Sequence, residues 1–380
     1  MNHTSRIIST YSADVFGVCS ALFELGGMVI MHDASGCNST YTTHDEPRWY
    51  DMESMVYISG LSEMEAIMGD DEKLINDIVL AAGDLSPRFI AVAGTPIPTM
   101  TGFDFEAVAA LIEEHTGIPA FGFPTTGMNT YVHGANMALE AIARRFADKN
   151  AVRTDDRTVN VLGLTPLDFS VNGADRSVSR FLEEAGYRVL SRWAMGSTLE
   201  ELSRAGDAHV NLVVSSTGLG AAKALQELFG TPYVVGAPVG DAYGNEIREA
   251  LEKAVSTGEN QFPRSDLPGG EILIIGEGVT SLSLASALEL SAGTGTQVLC
   301  PTECDAKILR SKDLKLQSEE EIQQAMGHAK LVIADPLFRP ICPPDVRFVP
   351  LPAESFSGRL YREQIPNLIS DFQTFLKEVL

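Results

Sequence analysis

Basic residues are scarce in this chain. Its 380 residues include 28 Lys and Arg against 51 Asp and Glu, a formal net charge of -23. A positive surface that grips the phosphates of nucleic acid or anionic lipid is therefore not expected. The amino-terminal residues show no basic stretch followed by an apolar one, and no apolar run is long enough to span a bilayer. These features predict a cytoplasmic protein without nucleic acid or membrane partners.

Cysteines and nucleotide-binding motifs are also few. The 5 cysteines are an odd number, which does not suggest a disulfide framework, and a single cysteine is most often a small buried hydrophobe. A phosphate-binding loop that ends in Gly-Lys-Ser/Thr is missing. The Gly276-Glu-Gly278 segment lacks the third glycine of a dinucleotide fingerprint, because Ser281 stands in its place. We predict neither ATP hydrolysis nor a nicotinamide cofactor in this chain.

Short apolar runs alternate with amphipathic stretches along the whole chain. This pattern is typical of parallel strands joined by crossover helices. Charged or turn-forming residues at 148–157 and 256–268 interrupt it, and with 44% hydrophobic residues the chain can form several cores. We predict an α/β protein of three doubly wound, Rossmann-like domains with mainly parallel sheets around a central cleft. The domains are residues 1–154, 155–266 and 267–380, the last with a carboxyl-terminal helix.

The individual elements follow from the same pattern. The predicted strands are 28–33, 56–60, 88–95, 119–125, 158–165, 187–194, 210–216, 233–238, 271–276, 297–300, 330–335 and 346–351. The predicted helices are 14–26, 71–82, 103–116, 129–146, 172–185, 198–205, 219–229, 242–255, 279–292, 318–327 and 365–380. In sheets of this kind, ligands bind outside the carboxyl ends of the strands. We therefore expect the functional residues in the loops that follow the strands.

The segment after the first strand, His32-Asp-Ala-Ser-Gly-Cys37, places a cysteine on a turn that contains Gly36. It resembles the His-Gly-Pro-x-Gly-Cys segment of nitrogenase component 1 proteins, whose cysteine ligates an iron–sulfur cluster. Asp33 and Ala34 depart from that pattern. The likeness continues in Ser62-Glu63 before 69–74, in 197–202 before 211–214, and in Ser357-Gly358. The chain thus resembles a short member of the nitrogenase component 1 superfamily.

Several family cysteines have no counterpart in this sequence. Thr95 stands where a later first-domain cysteine would be, and Ser12 stands at the spacing of the family's first cysteine. The cysteine that holds the large cofactor of nitrogenase would fall at Ser215. The resemblance therefore implies a simpler cluster than nitrogenase has, and it does not imply dinitrogen reduction on such a cofactor.

The resemblance leaves two interpretations of the first domain. A four-iron cluster takes about four thiolates, and a twofold homodimer would supply them as Cys19 and Cys37 from each chain. Gly36 and Thr95 would then lie around this [4Fe-4S] cluster. Alternatively, Cys19 lies in the core on its predicted helix and Cys37 is alone. A heteromer with a homologous subunit is the other possible assembly.

Three further cysteines and two polar residues complete the candidate sites. Cys300, Cys304 and Cys342 follow two predicted strands and would converge as a second metal site if those strands are neighbours, although chance placement explains them as well. His32 and Glu63 are candidates for proton transfer, with a role in the local turns as the alternative.

The resemblance implies a function for the whole chain. A nitrogenase-like oxidoreductase component would accept electrons from an ATP-dependent, iron-protein-like reductase through the interface cluster, and would reduce a substrate in the cleft between the domains. The alternative is a non-catalytic protein that binds or assembles a cofactor or metabolite and keeps the fold without a full cluster.

Overall fold

The computed structural model describes residues 5–7, 10, 12–34, 36–41, 45–154 and 156–380, with the backbone alone for Cys37 and Thr40. It contains three parallel sheets, each flanked by helices. The α/β class with mainly parallel sheets is thereby confirmed. Within the described residues, none of the helices has the length and hydrophobicity that crossing a membrane requires.

The first sheet has the strand order β2-β1-β3-β4. Its strands are β1 (Met28–Met31), β2 (Met55–Ile58), β3 (Ile90–Ala93) and β4 (Ala120–Phe123). The helices of this part are α1 (Asp14–Leu22), α2 (Glu63–Met68), α3 (Asp71–Leu85), α4 (Pro96–Thr101), α5 (Phe105–Thr116) and α6 (Tyr131–Phe146), with a 3-10 helix at Cys37–Thr40. β1 and β3 are buried along their whole length, which suits their run of Val, Ile, Met and Ala.

The second sheet repeats this arrangement with the order β6-β5-β7-β8. Its strands are β5 (Thr158–Leu162), β6 (Arg188–Arg192), β7 (Val210–Val213) and β8 (Tyr233–Val235). The helices are α7 (Pro166–Phe169), α8 (Ala174–Glu184), α9 (Leu199–Ser203), α10 (Leu219–Phe229) and α11 (Gly240–Thr257), with 3-10 helices at Arg204–Asp207 and Ser216–Gly218.

The third sheet has the order β11-β10-β9-β12-β13. Its strands are β9 (Ile272–Ile275), β10 (Thr296–Cys300), β11 (Leu314–Lys315), β12 (Leu331–Ala334) and β13 (Arg347–Pro350). The helices are α12 (Gly278–Ala292), α13 (Glu319–Met326), α14 (Glu354–Ser357) and α15 (Leu368–Val379), with 3-10 helices at Pro336–Ile341 and Gly358–Gln364. α15 packs against α8 and α11, so the last helix of residues 267–380 also covers the helices of the second sheet.

Two glycines bring α1 and α6 into backbone contact. A Cβ on Gly17 would lie 2.0 Å from the carbonyl oxygen of Tyr131, and one on Gly134 would lie 1.8 Å from that of Asp14. No side chain fits at such distances, so the close crossing of the two helices depends on glycine at both positions. α6 also packs against α10. Its first residue, Tyr131, is thereby held between the first and second sheets.

Candidate functional site

Polar side chains gather where β1 ends. The ring Nδ1 of His32 lies 2.9 Å from Ser59 Oγ, and Thr95 Oγ1 donates to the backbone oxygen of His32 at 2.8 Å. Asp33 accepts from Thr95 Oγ1 at 3.2 Å and from the Asn38 amide. These bonds connect the ends of β1, β2 and β3, so His32 and Thr95 are brought together as the loop pattern predicts.

His32 is buried in this group and its ring contacts Phe103, with 4.4 Å between ring centroids. Burial lowers the pKa of His32 to about 4, and the nearby carboxylate of Asp33 opposes that shift. The imidazole is therefore neutral at pH 7, with Nδ1 held by Ser59. Such a ring can donate or accept a hydrogen bond without carrying charge.

The turn that carries Cys37 lies at this same edge. Gly36 is exposed, and a Cβ there would lie more than 4 Å from the described atoms around it. The side chain of Cys37 lies outside the described residues. Glu63 begins α2 and is exposed, whereas the ring of His32 is buried and bonds to Ser59. The roles of Gly36, Cys37 and Glu63 at a cluster therefore stay predictions.

Cys19 lies in the middle of α1 with no exposed surface. Burial raises the pKa of its thiol well above the usual range, and the carboxylate of Glu46 adds to the shift. A thiol in this position packs in the hydrophobic core and does not reach the surface of the chain. The geometry favours a core cysteine over a ligand shared across a dimer.

A second group of polar side chains surrounds Asp168, which lies in α7 after β5. One carboxylate oxygen accepts from the Tyr131 hydroxyl. The other accepts from Thr165 Oγ1 at 3.0 Å and from Ser215 Oγ at 2.6 Å. Ser215, which the resemblance predicts to stand in place of the family's cofactor cysteine, donates to the partly buried carboxylate of Asp168 in this structure.

Glu277 links this group to the third sheet. Its Oε1 accepts from the backbone N–H of Ser216 at 3.1 Å and of Val279 at 3.0 Å, and its Oε2 accepts from Thr280 at 2.9 Å. The side chain thus caps α12 and also binds the loop after β7. Burial, followed by the negative charge of Glu277, raises the pKa of Asp168 to about 7. Asp168 is partly protonated at neutral pH.

Cys300 and Cys304 lie on the other side of Glu277. A Cβ on Gly278 would lie 2.4 Å from Cys304 Sγ and 3.6 Å from Cys300 Sγ, so the two thiols converge on a glycine with no room for a side chain. The interaction between the two thiols lowers the pKa of Cys300 and raises that of Cys304. Cys300 is the thiol of this pair that ionises first.

Cys342 does not join this pair. β9 lies between β10 and β12, so the strands that precede Cys300 and Cys342 are not neighbours, and the predicted convergence of three cysteines is wrong. Across the part of the chain that the structure describes, no three His, Cys, Asp or Glu side chains gather closely enough to hold a metal ion. Cys342 instead packs beside the core of the third sheet.

Asp168 and Glu277 did not emerge from the sequence as candidates. Each follows a strand of buried residues, after β5 and β9, which is a detectable signal. However, both stand in segments with a local structural explanation: Asp168 lies in the short helix α7 (Pro166–Phe169), and Glu277 is the N-cap of the long helix α12. Their proximity arises only when the second and third sheets pack together.

Comparison with known proteins identifies the family of this chain. Residues 14–326 match the family described as nitrogenase component 1 type oxidoreductase. This match covers most of the 380 residues, so the chain belongs to that family. The resemblance expected from the motifs around Cys37 is confirmed.

Individual relatives are more distant. The chain is 25% identical over 313 residues to the nitrogenase iron-molybdenum cofactor biosynthesis protein NifE of Klebsiella pneumoniae, covering 73% of this chain and 66% of that protein. It is 30% identical over 161 residues to a subunit of the light-independent protochlorophyllide reductase of Prosthecochloris aestuarii, covering 41% of this chain and 29% of that protein. The chain thus spans just under two thirds of the first relative's length and less than a third of the second's.

A solved structure described as "Nitrogenase Cp1 at pH 6.5" shares the fold. It superposes with a TM-score of 0.70 at 16% identity and covers 100% of this chain and 94% of that one. At this identity the likeness establishes the arrangement of the three sheets and nothing about chemistry.

Proposed function

We propose that this chain is a nitrogenase-like oxidoreductase component that contributes Cys37 to an iron–sulfur cluster between two subunits. It would receive electrons from an ATP-dependent, iron-protein-like reductase and reduce a substrate in the central cleft. The observation that carries the proposal is the position of the Cys37 turn, which follows the interior strand β1 at the edge of the sheet where α2 and α4 begin and present exposed apolar side chains. When bound, such a cluster takes up and passes on single electrons.

α2 and α4 carry exposed apolar side chains at this edge of the first sheet. α2 contributes Met64, Ile67 and Met68 and α4 contributes Met100, with exposed fractions of 67%, 70%, 72% and 86%. The two helices pack against each other and follow β2 and β3, the strands on either side of β1. We call these four residues the first-domain apolar surface. Exposed groups of large apolar side chains commonly mark protein interfaces.

The number of thiolates favours a particular assembly. With Cys19 in the core, this chain offers one thiolate at the edge of the first sheet, and a homodimer would offer only two. Four-thiolate ligation then needs a homologous subunit that provides three. We therefore place a homologous subunit, ahead of a second copy of this chain, on the first-domain apolar surface.

Anaerobic purification of the tagged chain from its native host tests the proposal. We expect a brown protein with about four irons and four sulfides per complex and a second, homologous polypeptide. Four irons in a complex that contains only copies of this chain would support the homodimer instead. A colourless complex without iron or sulfide would contradict the oxidoreductase proposal and would leave the second candidate.

Charge placed on the apolar surface should break the assembly. Met68→Asp combined with Met100→Asp buries two carboxylates if a partner covers these positions, which costs several kcal/mol. Analytical ultracentrifugation of the purified complex should show the separated chain. Leu228→Asp, a similar change at a 40%-exposed leucine on α10, serves as the control and should leave the complex intact. Equal sedimentation of both variants would place the interface elsewhere.

The second candidate is a protein that holds a cofactor or its precursor during assembly and transfers no electrons. The similarity to the NifE cofactor biosynthesis protein supports it. Such a protein would release its cargo to an acceptor and would show no turnover with an electron donor. Retention of iron in the absence of any reductase activity would favour this candidate.

A further inference from the structure

Two thiols meet in the loop that follows β10, those of Cys300 and Cys304. Their sulfurs approach Gly278 from the side where a Cβ would stand, at 2.4 Å from that position for Cys304 Sγ and 3.6 Å for Cys300 Sγ. The thiol of Cys304 donates to the sulfur of Cys300, so the two groups interact directly. Both cysteines are free in this structure. The loop therefore holds a reduced dithiol to which the cluster proposal gives no role.

The two thiols differ in exposure and in acidity. Cys300 has no exposed surface, whereas Cys304 is partly exposed. The hydrogen bond from Cys304 lowers the pKa of Cys300, and the same bond raises the pKa of Cys304. Once one thiol has ionised, the remaining proton lies between two sulfurs, of which only Cys304 Sγ faces solvent. Exchange with an external disulfide needs a thiolate and a path to it, and this pair offers both.

The same loop holds two helices that pack on other sheets. The carboxylate of Glu303 accepts from the backbone N–H of Thr130 at 3.1 Å and from the Thr130 hydroxyl, at the start of α6. The carboxylate of Asp305 accepts from Lys223 Nζ of α10 at 3.0 Å. α6 contacts β4 of the first sheet, and α10 contacts β5 and β7 of the second. The conformation of residues 300–305 therefore affects contacts with both of these parts.

We propose that Cys300 and Cys304 form a reversible disulfide by exchange with a small disulfide such as glutathione disulfide, and that this bond releases Glu303 from α6. Cys304, the accessible thiol, attacks the oxidant as a thiolate and expels one glutathione. Cys300 then attacks Cys304 Sγ and expels the second. The two cysteines lose two electrons, the S–S bond of the oxidant is reduced, and both protons end on the two glutathione thiols. The exchange involves neither Cys37 nor a cluster, so it is independent of the electron-transfer role.

Closing this bond moves the loop. The sulfurs of a disulfide lie about 2.0 Å apart, far inside the distance of about 3.5 Å at which atoms that are not bonded come into contact. Cys300 is the last residue of β10 and pairs with Lys315 of β11, so the sheet holds it in place. The displacement therefore falls on Cys304 and on Glu303 beside it. The two hydrogen bonds from Thr130 to Glu303 lengthen as a result.

Equilibration of the full, anaerobically purified chain with mixtures of reduced and oxidised glutathione tests the bond. After alkylation of free thiols and proteolysis, mass spectrometry should find the peptide of Cys300 and Cys304 unalkylated and lighter by two hydrogen atoms, and reduced glutathione should reverse this change. Cys342→Ser is the control and should oxidise in the same way. Cys300→Ser should instead keep one glutathione on Cys304. Free thiols at both positions in excess glutathione disulfide, or a lasting glutathione adduct on Cys304 of the unmodified chain, would overturn the proposal.

Hydrogen exchange at the Thr130 amide tests the release of α6. Oxidation of the unmodified chain by glutathione disulfide should speed exchange in the peptide that contains Thr130 by about fivefold, the factor that corresponds to one net hydrogen bond. Cys304→Ser, treated alike, should show no change, and reduced Glu303→Ala should exchange as fast as the oxidised unmodified chain. Circular dichroism shows whether each variant is folded, and the comparison of reduced with oxidised unmodified chain needs neither variant. A disulfide that forms without faster exchange at Thr130 would overturn the release of α6.

Discussion

Replacing Cys37 with serine is expected to remove most of the iron from the anaerobically purified complex. Iron–sulfur clusters are held by thiolates, and a serine hydroxyl at the same position is a poor substitute. The fold should remain, because the hydrophobic cores of the three sheets are built from other described residues. The free energy of unfolding should therefore change by no more than about 0.5 kcal/mol, as at most sites without a structural role.

The matched control is Cys342→Ser, which changes a partly buried thiol beside the third sheet and should leave iron content unchanged. Iron per chain and thermal unfolding are measured on both variants. A structural role for Cys37 would give the opposite pattern: normal iron and a loss of about 1–3 kcal/mol for a buried hydroxyl without partners. That pattern would mean that Cys37 is not a ligand of the cluster.

Replacing Asp168 with asparagine should change how stability depends on pH. The pKa of Asp168 is raised from 3.8 to about 7 on folding, so the folded state holds a proton that the unfolded state loses. The resulting stabilisation is fully present below about pH 4 and is lost as the pH rises through about 7. This loss is on the order of 4 kcal/mol, at 1.36 kcal/mol for each unit of pKa. Asparagine has no such proton to lose.

Denaturant unfolding at about pH 5 and about pH 8 measures this difference. The free energy of unfolding should fall by about 3 kcal/mol more in the unmodified chain than in Asp168→Asn over this range. Asp175→Asn should retain the full pH dependence, because it leaves Asp168 in place. The same slope in Asp168→Asn and the unmodified chain would mean that another group carries the proton.

Much of the fold follows from local pattern. The predicted strand 210–216 contains β7 (Val210–Val213), and the predicted helix 219–229 coincides with α10. The sequence pattern missed α2, α4, α7 and α14, which have only four to six residues each. A helix of one turn or slightly more has no apolar periodicity to detect, and tertiary contacts decide its formation. The strand β11 was also missed, because its two residues are too few to show the alternation of a strand.

The candidate sites were less predictable than the fold. His32 and Thr95 lie together because the sequence places both after neighbouring strands of one sheet. Whether Cys300 and Cys342 also meet depends on the strand order of the third sheet, and β9 separates them. Asp168 and Glu277 belong to different sheets, so their approach depends on how the sheets pack, which no local pattern specifies.

The hydrogen bond from the backbone N–H of Ser216 to Glu277 connects the loop after β7, in the second sheet, to the start of α12 beside the third. A hinge motion that separated them would move the Glu277 charge away from Asp168 and admit water to both. The two causes that raise the pKa of Asp168 would weaken together, and the carboxyl would release its proton. By reciprocity, acid would favour contact between the two sheets in such a motion, and alkali would favour their separation. The protonation of Asp168 would then be linked to the contact between the second and third sheets.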